Sequence, residues 1–251
     1  MGAWAQRDIG VTHLGVIVGA TGGIGSACAR QLADTADHIV LTGRHAGRLA
    51  ALPQQLGVST TGVQADISRA EDRELIVRSV SATGLPIGWL VVASGAPLRG
   101  PIDTLDVAEI ENAIAVNLTG PALLLRMLLD LTWEPVASVV LIGSISASRS
   151  LPRRSVYGGT KAGVEHLFRA AAADLAPRGI RINVVAPGVV DTAFLGEDRS
   201  TLDAWIEDHV PMRRIGDPAE VAGLVKYLVA NAPRYLTGAR FAVDGGAETV
   251  A

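Results

Sequence analysis

The chain has 251 residues, and 49% of them are hydrophobic, which is enough to bury a sizeable core in a single α/β domain. Its net charge of −3 comes from scattered charges of both signs, so no nucleic-acid partner is expected. The single cysteine, Cys28, excludes an intramolecular disulfide and a cysteine-based metal cage, and its small-residue setting predicts an inert buried thiol. No segment is apolar for long enough to be a signal peptide or a membrane span, so we expect a soluble, cytoplasmic protein without a membrane partner or a metal site.

The first predicted element is a strand that leads into a glycine-rich loop. The apolar run Leu14–Val18 has no polar alternation, which is typical of a strand buried on both faces. Four glycines follow within residues 19–25, and a helix is predicted over residues 23–33. Because a helix N-terminus offers free N–H groups and a positive dipole, this order predicts a phosphate-binding site; a simple tight turn is the alternative.

Strand and helix patterns alternate along the rest of the chain. Further strands are predicted at residues 38–42, 60–64, 89–93, 136–142, 180–185 and 240–243, and helices from residue 46 and over residues 69–82, 107–131, 155–176 and 219–230. Strands separated by helices pair in parallel. The pattern therefore predicts seven parallel strands in one domain over residues 1–251.

The helix predicted over residues 107–131 is apolar almost all round between residues 123 and 129. A helix that covers one side of a sheet needs only one apolar stripe. The surplus indicates either an interface with a second subunit or a helix deep in the core.

Two polar residues in this part of the chain have two interpretations each. Asn117 lies in the apolar run, where its amide requires a partner or a water, and by itself it is more often a core amide than a catalytic one. Asp66 follows the third strand, where its carboxylate either accepts a hydrogen bond from an adenine amino group or forms an Asx cap.

Tyr157 and Lys161 are the leading catalytic candidates. They lie four residues apart at the start of a helical run, so they share one face of the helix. A neighbouring ammonium favours the phenolate, so Lys161 is expected to bring the pKa of Tyr157 toward the range of an acid/base catalyst. Ser144 follows the fifth strand, where its hydroxyl could reach the phenol and polarise a substrate carbonyl. The Tyr-x-x-x-Lys spacing alone is more often structural than catalytic, and the upstream glycine loop is what favours catalysis.

Several motifs occur together in one order. They are Gly19-x-x-x-Gly23-x-Gly25, Asn117, Ser144, Tyr157-x-x-x-Lys161, Pro187-Gly188, Asp217-Pro218-Ala219-Glu220-Val221 and Val243-Asp244-Gly245-Gly246. In this order and spacing the chain resembles the classical short-chain dehydrogenase/reductase family over essentially its whole length. The resemblance implies a Rossmann-type doubly wound parallel sheet of seven strands, with helices on both faces and a nicotinamide cofactor across the carboxyl ends of the strands.

The resemblance also implies roles for a tetrad of residues. Tyr157 would be the general acid/base and Ser144 the carbonyl anchor. Lys161 would bond the nicotinamide ribose and lower the pKa of the phenol, and Asn117 would hold a water that resupplies protons. Thr192 resembles the residue that bonds the carboxamide. The predicted cofactor-binding residues are Gly19, Thr21, Gly22, Gly23, Ile24, Gly25, Gly43, Arg44, Asp66, Ile67, Gly95, Tyr157, Lys161, Pro187, Gly188, Val190 and Thr192.

The chain departs from the family pattern at two places. The family usually has threonine before its first glycine and Asn-Asn-Ala-Gly after its fourth strand, whereas this chain has Val18 and Val92-Ala93-Ser94-Gly95. A polar contact between these two strands is therefore expected to be missing, with an effect on local rigidity and not on the chemistry.

The end of the second strand bears on the choice of cofactor. The chain reads Leu41-Thr42-Gly43-Arg44-His45 there, without the carboxylate that usually binds the ribose 2′-hydroxyl of NAD. Arg44 offers a planar fork for a 2′-phosphate, and Arg48 lies one helical turn further on. NADP(H) is therefore the predicted cofactor and NAD(H) the alternative, because Arg44 could also be a solvated residue that stacks on adenine.

The predicted function is hydride transfer between NADPH and a ketone or secondary alcohol, by a homo-oligomer that is a tetramer if the resemblance holds. The alternative is a non-catalytic nicotinamide-nucleotide-binding sensor or assembly subunit; an epimerase is a further one.

A substrate lid is predicted over residues 193–214. Its apolar side chains favour an apolar substrate, whereas an arginine cluster beside the catalytic loop offers an anion site, although such clusters are usually solvated surface. The apolar lid residues are Phe194, Leu195, Trp205, Ile206 and Met212, and the arginines are Arg149, Arg153 and Arg154.

Overall fold

The computed structural model describes residues 13–195 and 202–250. The strands are β1 Leu14–Val18, β2 His38–Gly43, β3 Ser59–Gln64, β4 Ile87–Val92, β5 Trp133–Ile142, β6 Ile180–Pro187 and β7 Arg240–Val243. The α-helices are α1 Gly23–Leu32, α2 Ala46–Ala51, α3 Ala70–Ser81, α4 Val107–Ile114, α5 Gly120–Leu128, α6 Ser155–Leu175, α7 Leu202–His209 and α8 Pro218–Lys226. No helix among these is both long and apolar enough to cross a membrane.

All seven strands belong to one parallel sheet in the order β3-β2-β1-β4-β5-β6-β7. The predicted Rossmann-type sheet is therefore confirmed. The strand order reverses between β1 and β4, and ligands of such sheets bind in the crevice at this reversal, beyond the carboxyl ends of the strands.

Helices cover both faces of the sheet, which is why its central strands are apolar without alternation. Val16 and Val18 of β1 pack into one core layer with α3, α5 and α6, whereas Ile17 packs into the other layer with α1 and α8. Successive side chains of a strand point to opposite faces, so a strand covered on both sides needs apolar residues at every position. Cys28 lies in the second layer, fully buried as expected.

The helix predicted as continuous over residues 107–131 is interrupted. α4 ends at Ile114, and a five-residue π-helical segment, Ala115–Thr119, separates it from α5. Pro121 lacks the N–H that would bond the carbonyl of Asn117 in a regular helix, so the hydrogen-bond ladder changes register here. Asn117 is therefore held in the break and not in a regular turn.

The leucines of α5 serve mainly the core of the chain itself. Leu124, Leu125 and Leu128 are at most 3% exposed, whereas Leu123 is 42% exposed. The buried face packs on the sheet layer that contains β4 and β5. Of the two interpretations of this helix, the deep core helix describes these three leucines, and the face that contains Leu123 is the part open to a second subunit.

The departure from the family pattern at β1 and β4 is accommodated by apolar packing. Val18 and Val92 are neighbours in the sheet and each is 1% exposed. The strands remain joined beyond this pair by the main chain, because Ala93 N–H donates to the carbonyl of Val18 at 2.8 Å. Two valines thus replace a polar contact without leaving an unpaired polar group at these positions.

Candidate active site

A cavity of about 870 Å³ lies at the carboxyl ends of the strands. Every predicted cofactor-binding residue lines this cavity, as do Ser144, Tyr157 and Lys161. Asn117 does not line it, although its neighbour Val116 does. The strand topology therefore brings into one crevice residues that are widely separated in the sequence.

The glycine-rich loop forms one wall of the cavity because side chains do not fit there. Gly19 has φ of +85°, and a Cβ atom at Gly19 would lie 2.7 Å from the main-chain nitrogen of Ser94. A Cβ atom at Gly25 would lie 2.1 Å from the carbonyl oxygen of Gly19. α1 starts at Gly23 after Gly22, which offers no capping side chain, so the first N–H groups of the helix remain available to an anion.

A second feature also fits a bound nucleotide. The hydroxyl of Ser94 is buried at the cavity wall and has no hydrogen-bond partner among the described residues. Buried hydroxyls are normally paired, so an unpaired one at a cavity wall is suited to a polar group of a ligand. Together with the free N–H groups of α1, Ser94 gives this crevice the donors that a dinucleotide requires.

Asp66 and Arg44 lie close together at the end of the cavity next to β2. One carboxylate oxygen of Asp66 accepts hydrogen bonds from the N–H and the hydroxyl of Ser68, at 3.0 and 2.7 Å. Asp66 thus forms an Asx turn before α3, whose N-cap position is Arg69, so it does not cap that helix. Its carboxylate still lines the cavity, and the contact with adenine stays a prediction. The other oxygen lies 3.8 Å from the guanidinium of Arg44, whose side chain is 53% exposed. Arg48 lines the same end of the cavity.

The catalytic candidates converge at the opposite side of the crevice, around Gly95. A Cβ atom placed at Gly95 would lie 3.6 Å from Asn117 Oδ1, 3.8 Å from Lys161 Nζ and 3.6 Å from the ring of Phe194. Tyr157 is 7% exposed and Ser144 is 8% exposed, and both face the cavity. The predicted tetrad is therefore brought together in space.

The expected effect of Lys161 on the phenol is wrong for the cofactor-free protein. The pKa of Tyr157 is raised, because burial disfavours the phenolate and the carboxylate of Glu165 adds to this, whereas the Ser144 hydroxyl and the Arg154 cation act in the opposite direction. Lys161 is not among the groups that move this pKa. Burial outweighs the neighbouring polar groups, so the phenol is held in its protonated form.

Lys161 itself is buried and bonded to the main chain. Its ammonium donates a hydrogen bond to the carbonyl of Ile142 at 2.9 Å. Burial lowers the pKa of Lys161 to about 8, although the carboxylate of Glu165 opposes this shift. The ammonium is therefore a cation that the fold holds against a substantial desolvation penalty, which is typical of functional sites.

The amide of Asn117 has a definite partner in the loop after β4. Its Oδ1 accepts from Ala96 N–H at 2.8 Å, and its Nδ2 donates to the Ala96 carbonyl at 3.0 Å. These two bonds satisfy the buried amide, as the sequence required. They also attach the π-helical segment to the loop that contains Gly95.

A buried charge network behind Ser144 is absent from the sequence-based prediction. Glu165 accepts a hydrogen bond from Ser144 N–H at 2.9 Å and pairs with Arg240 at 2.8 Å. The guanidinium of Arg240 also donates two hydrogen bonds to the carboxylate of Glu248, at 2.8 and 2.6 Å, and one to the Ser144 carbonyl at 3.3 Å. The hydroxyl of Ser148 bonds Glu248 as well. The main chain of Ser144 is thus held on both sides by this network.

Glu165 is the one member of this network that a local sequence pattern could have indicated. Glu165 lies four residues after Lys161, on the same face of α6. Arg240 lies on β7, the edge strand, and Glu248 lies in the turn after it. These two residues reach Glu165 and Ser144 only through the order of β5, β6 and β7 in the sheet.

Part of the predicted lid covers Tyr157. Residues 196–201 of the predicted lid lie outside the described residues. The ring of Phe194 packs 5.8 Å from the ring of Tyr157, tilted by 54°. α7 follows, and its Ile206 packs with Ile145 of the loop after β5. Phe194, Leu195 and Trp205 line the cavity, whereas Met212 is 64% exposed and does not.

Comparison with known proteins agrees with this geometry. A family model described as enoyl-(acyl carrier protein) reductase matches residues 19–248. The chain is 32% identical over 248 residues to human dehydrogenase/reductase SDR family member 2, mitochondrial, covering 96% of this chain and 88% of that protein. It is 30% identical over 247 residues to glucose 1-dehydrogenase of Gluconobacter oxydans, covering 92% and 90%. The solved structure of a short-chain dehydrogenase/reductase from Serratia marcescens superposes with a TM-score of 0.88 at 26% identity, covering 95% and 98%.

The fold, the crevice and these similarities define the class of protein, which is an oxidoreductase that uses a nicotinamide cofactor, NAD or NADP, and acts on a small molecule. The chain belongs to the short-chain dehydrogenase/reductase family.

Proposed function

We propose that this protein transfers a hydride reversibly between NADP(H) and a ketone or secondary alcohol, with Tyr157 as the general acid/base. The observation that carries the proposal is the convergence of the Tyr157 phenol, the Ser144 hydroxyl and the Lys161 ammonium on one side of the cavity. A bound nicotinamide supplies or accepts the hydride, and the protein supplies orientation and the proton.

Each residue has a distinct task in the proposed reduction. Ser144 donates a hydrogen bond to the substrate carbonyl, and its main chain is held by Glu165 and Arg240. Tyr157 gives its proton to the same oxygen, and its raised pKa is consistent with a phenol that is protonated at neutral pH. Lys161 and Thr192 would hold the ribose and the carboxamide of the cofactor. Asn117 positions the loop that contains Gly95.

The preference for NADP(H) rests on the end of the cavity next to β2. Arg44 and Arg48 both line it, and the strand ends in Gly43 without a carboxylate. A charge-assisted bond to a 2′-phosphate contributes about 1.5 to 3 kcal/mol, which corresponds to roughly a ten- to hundredfold preference. The carboxylate of Asp66, 3.8 Å from Arg44, offsets part of this attraction.

Tyr157→Phe tests the proposed acid/base role. The ring still packs against Phe194, but the proton is gone, so turnover with ketones should fall to near zero while the dissociation constant of NADPH changes little. A panel of ketones and secondary alcohols, followed through the absorbance of reduced nicotinamide, identifies a working substrate first. Substantial turnover by the variant would rule out the role.

The same panel, applied to the unmodified protein, separates an enzyme from a sensor. A non-catalytic nicotinamide-binding sensor or assembly subunit would bind NADPH and turn over no member of the panel. The convergence of Tyr157 with Ser144 favours the enzyme, because a protein that only binds the cofactor has no use for a proton donor there. The homotetramer and the cytoplasmic location stay predictions that accompany this proposal.

A further inference from the structure

Three arginines line the same side of the cavity as Tyr157. Arg99 lies in the loop after β4, and Arg153 and Arg154 precede α6. The two loops are joined by a hydrogen bond of 3.0 Å from Gly100 N–H to the carbonyl of Arg153. The guanidinium carbon of Arg154 lies 5.8 Å from the centre of the Tyr157 ring. Cationic groups are therefore placed beside the proposed proton donor.

These three cations lack a carboxylate partner within the described part of the chain. None of the ion pairs found there includes Arg99, Arg153 or Arg154. Burial and the nearby Arg99 cation lower the pKa of Arg154, which means that the fold holds two like charges close together in a partly desolvated place. A guanidinium stays charged at any physiological pH, so only an anion relieves this repulsion.

This cluster is separate from the arginines that face the cofactor phosphate. Arg44 and Arg48 follow β2, whereas Arg154 follows β5. Three strand spacings separate β2 from β5 in the sheet, which is about 14 Å. A 2′-phosphate held by Arg44 therefore leaves Arg154 without a carboxylate or phosphate partner among the described residues, and an anionic group of a second bound molecule can pair with it.

Apolar side chains line the cavity near Tyr157 as well. The ring of Phe194 packs on Tyr157, Leu151 lies in the same loop as Arg153 and Arg154, and Leu202 and Trp205 of α7 line the same cavity. An apolar wall beside an unpaired guanidinium is suited to a molecule with an apolar body and an anionic group.

We infer that the substrate is a ketone or secondary alcohol with an apolar body and an anionic group, which pairs with Arg154 and Arg99 while the reacting oxygen faces Tyr157. The inference rests on the proposed function and adds the substrate class. A carboxylate matches the planar fork of arginine in a bidentate pair, and a phosphoryl group shares the same chemistry. Two expectations follow from the sequence, an apolar substrate from the lid residues and an anion site from the arginines. In this proposal they describe the two ends of one molecule.

Binding of simple probes tests the anion site without any turnover. Benzoate, benzamide and phenylphosphonate are titrated calorimetrically into the protein loaded with NADP⁺. Benzoate should bind roughly tenfold or more tightly than the neutral benzamide, because it alone makes a charge-assisted pair. Arg154→Met should remove this difference and leave benzamide unchanged, whereas Arg78→Met, at an exposed arginine of α3, should have no effect. Tighter binding of phenylphosphonate than of benzoate would assign the site to phosphoryl compounds.

Two results of this titration overturn the inference. One is that benzoate binds no more tightly than benzamide to the unmodified protein, including the case in which neither binds. The other is that Arg154→Met retains the difference. If Arg154→Met does not fold, as judged by its thermal transition, Arg99→Met takes its place with the same expectation.

Turnover then separates the substrate class from the reaction itself. Aryl oxo acids with increasing separation between ketone and carboxylate are each compared with their methyl esters. We expect kcat/KM to favour an acid over its ester by about tenfold or more, and Arg154→Met to remove that ratio mainly through KM. The ratio is the readout because Arg154 also influences Tyr157, an effect that acts on acid and ester alike. Equal turnover of acids and esters refutes the proposed substrate class but not the oxidoreductase activity. Binding of the anion without turnover of any acid–ester pair refutes the proposed reaction but not the anion site.

Discussion

Replacing Arg240 with methionine removes the cation that two partly or fully buried carboxylates share. The side chain of Glu165 is 6% exposed, and those of Arg240 and Glu248 are each 18% exposed. Methionine fills much of the same volume, so the main change is the loss of charge and of hydrogen bonds. Glu165 then keeps its bond from Ser144 N–H but loses its ion-pair partner in a desolvated place.

The magnitude follows from this burial. Removing one partner of a buried ion pair typically costs about 3 to 5 kcal/mol, because the remaining charge is left uncompensated. Exposed pairs contribute about 0 to 1 kcal/mol. Arg78 and Glu74 form such a pair on α3, with side chains 64% and 61% exposed, and Arg78→Met is therefore the matched control.

The assay is urea unfolding of the two variants and of the double variant Arg240→Met/Glu165→Gln. Glutamine still accepts the bond from Ser144 N–H but carries no charge, so the double variant should recover much of the stability that Arg240→Met loses. The reasoning is refuted if Arg240→Met destabilises no more than Arg78→Met, or if the effects of Arg240→Met and Glu165→Gln simply add.

Acid provides a second readout of the same network. Hydrogen bonds from Arg240 are the main cause of the lowered pKa of Glu248, whose ordinary value is 4.5. A lowered folded-state pKa means that the stabilisation is fully present above pH 4.5 and is lost as the pH falls through the folded-state value. Arg240→Met should therefore show a weaker loss of stability below pH 4.5 than the unmodified protein.

Three further predictions concern Lys161, Arg44 and the leucines of α5. Burial lowers the pKa of Lys161 to about 8 from 10.5, so the unfolded chain binds more protons just above pH 8, and the free energy of unfolding of the cofactor-free protein should rise with pH between about 8 and 9, by up to about 1.4 kcal/mol per pH unit. Above pH 9 the buried Cys28 thiol, whose pKa burial raises from 9.0 to about 12, acts in the opposite direction. Lys161→Met should abolish this rise and Lys226→Met, at the only other lysine, should retain it; the opposite outcome would contradict the assigned burial. Arg44→Leu should weaken NADPH binding roughly ten- to hundredfold in calorimetry and leave NADH unchanged, and equal binding of both cofactors to the unmodified protein would make NAD the cofactor. The substitution Gly43→Asp would supply a carboxylate that accepts hydrogen bonds from the ribose diol of NAD. It is unsuitable here, because a Cβ atom at Gly43 would lie 2.5 Å from the hydroxyl oxygen of Thr21. Leu128→Glu should unfold the protein, since Leu128 is fully buried, whereas Leu123→Glu should keep the fold and lower the mass by light scattering; an unchanged mass would exclude this face from the interface.

Features that depend only on neighbouring residues could be predicted from the amino-acid sequence alone. The strand, glycine loop and helix at the start of the chain follow from local patterns, and so does the shared helix face of Tyr157 and Lys161. The alternation of strands and helices also sufficed for a parallel sheet, because a parallel connection requires a crossover. For this reason a parallel sheet could be predicted from local patterns, whereas most of the residues that line the crevice, Thr192 among them, were implied by the resemblance to the short-chain dehydrogenase/reductase family.

Properties that depend on burial and on distant partners follow only from the three-dimensional arrangement of the chain. The direction of the Tyr157 pKa shift follows from desolvation, which no spacing along the chain reports. Likewise, Arg240 reaches Glu165 only because β7 lies next to β6 in the sheet, and Leu128 is distinguished from Leu123 only by the face that α5 turns to the core. Sequence periodicity records which side chains share a face, whereas the free energy of a charge or a methyl group depends on how much water the whole fold removes from it.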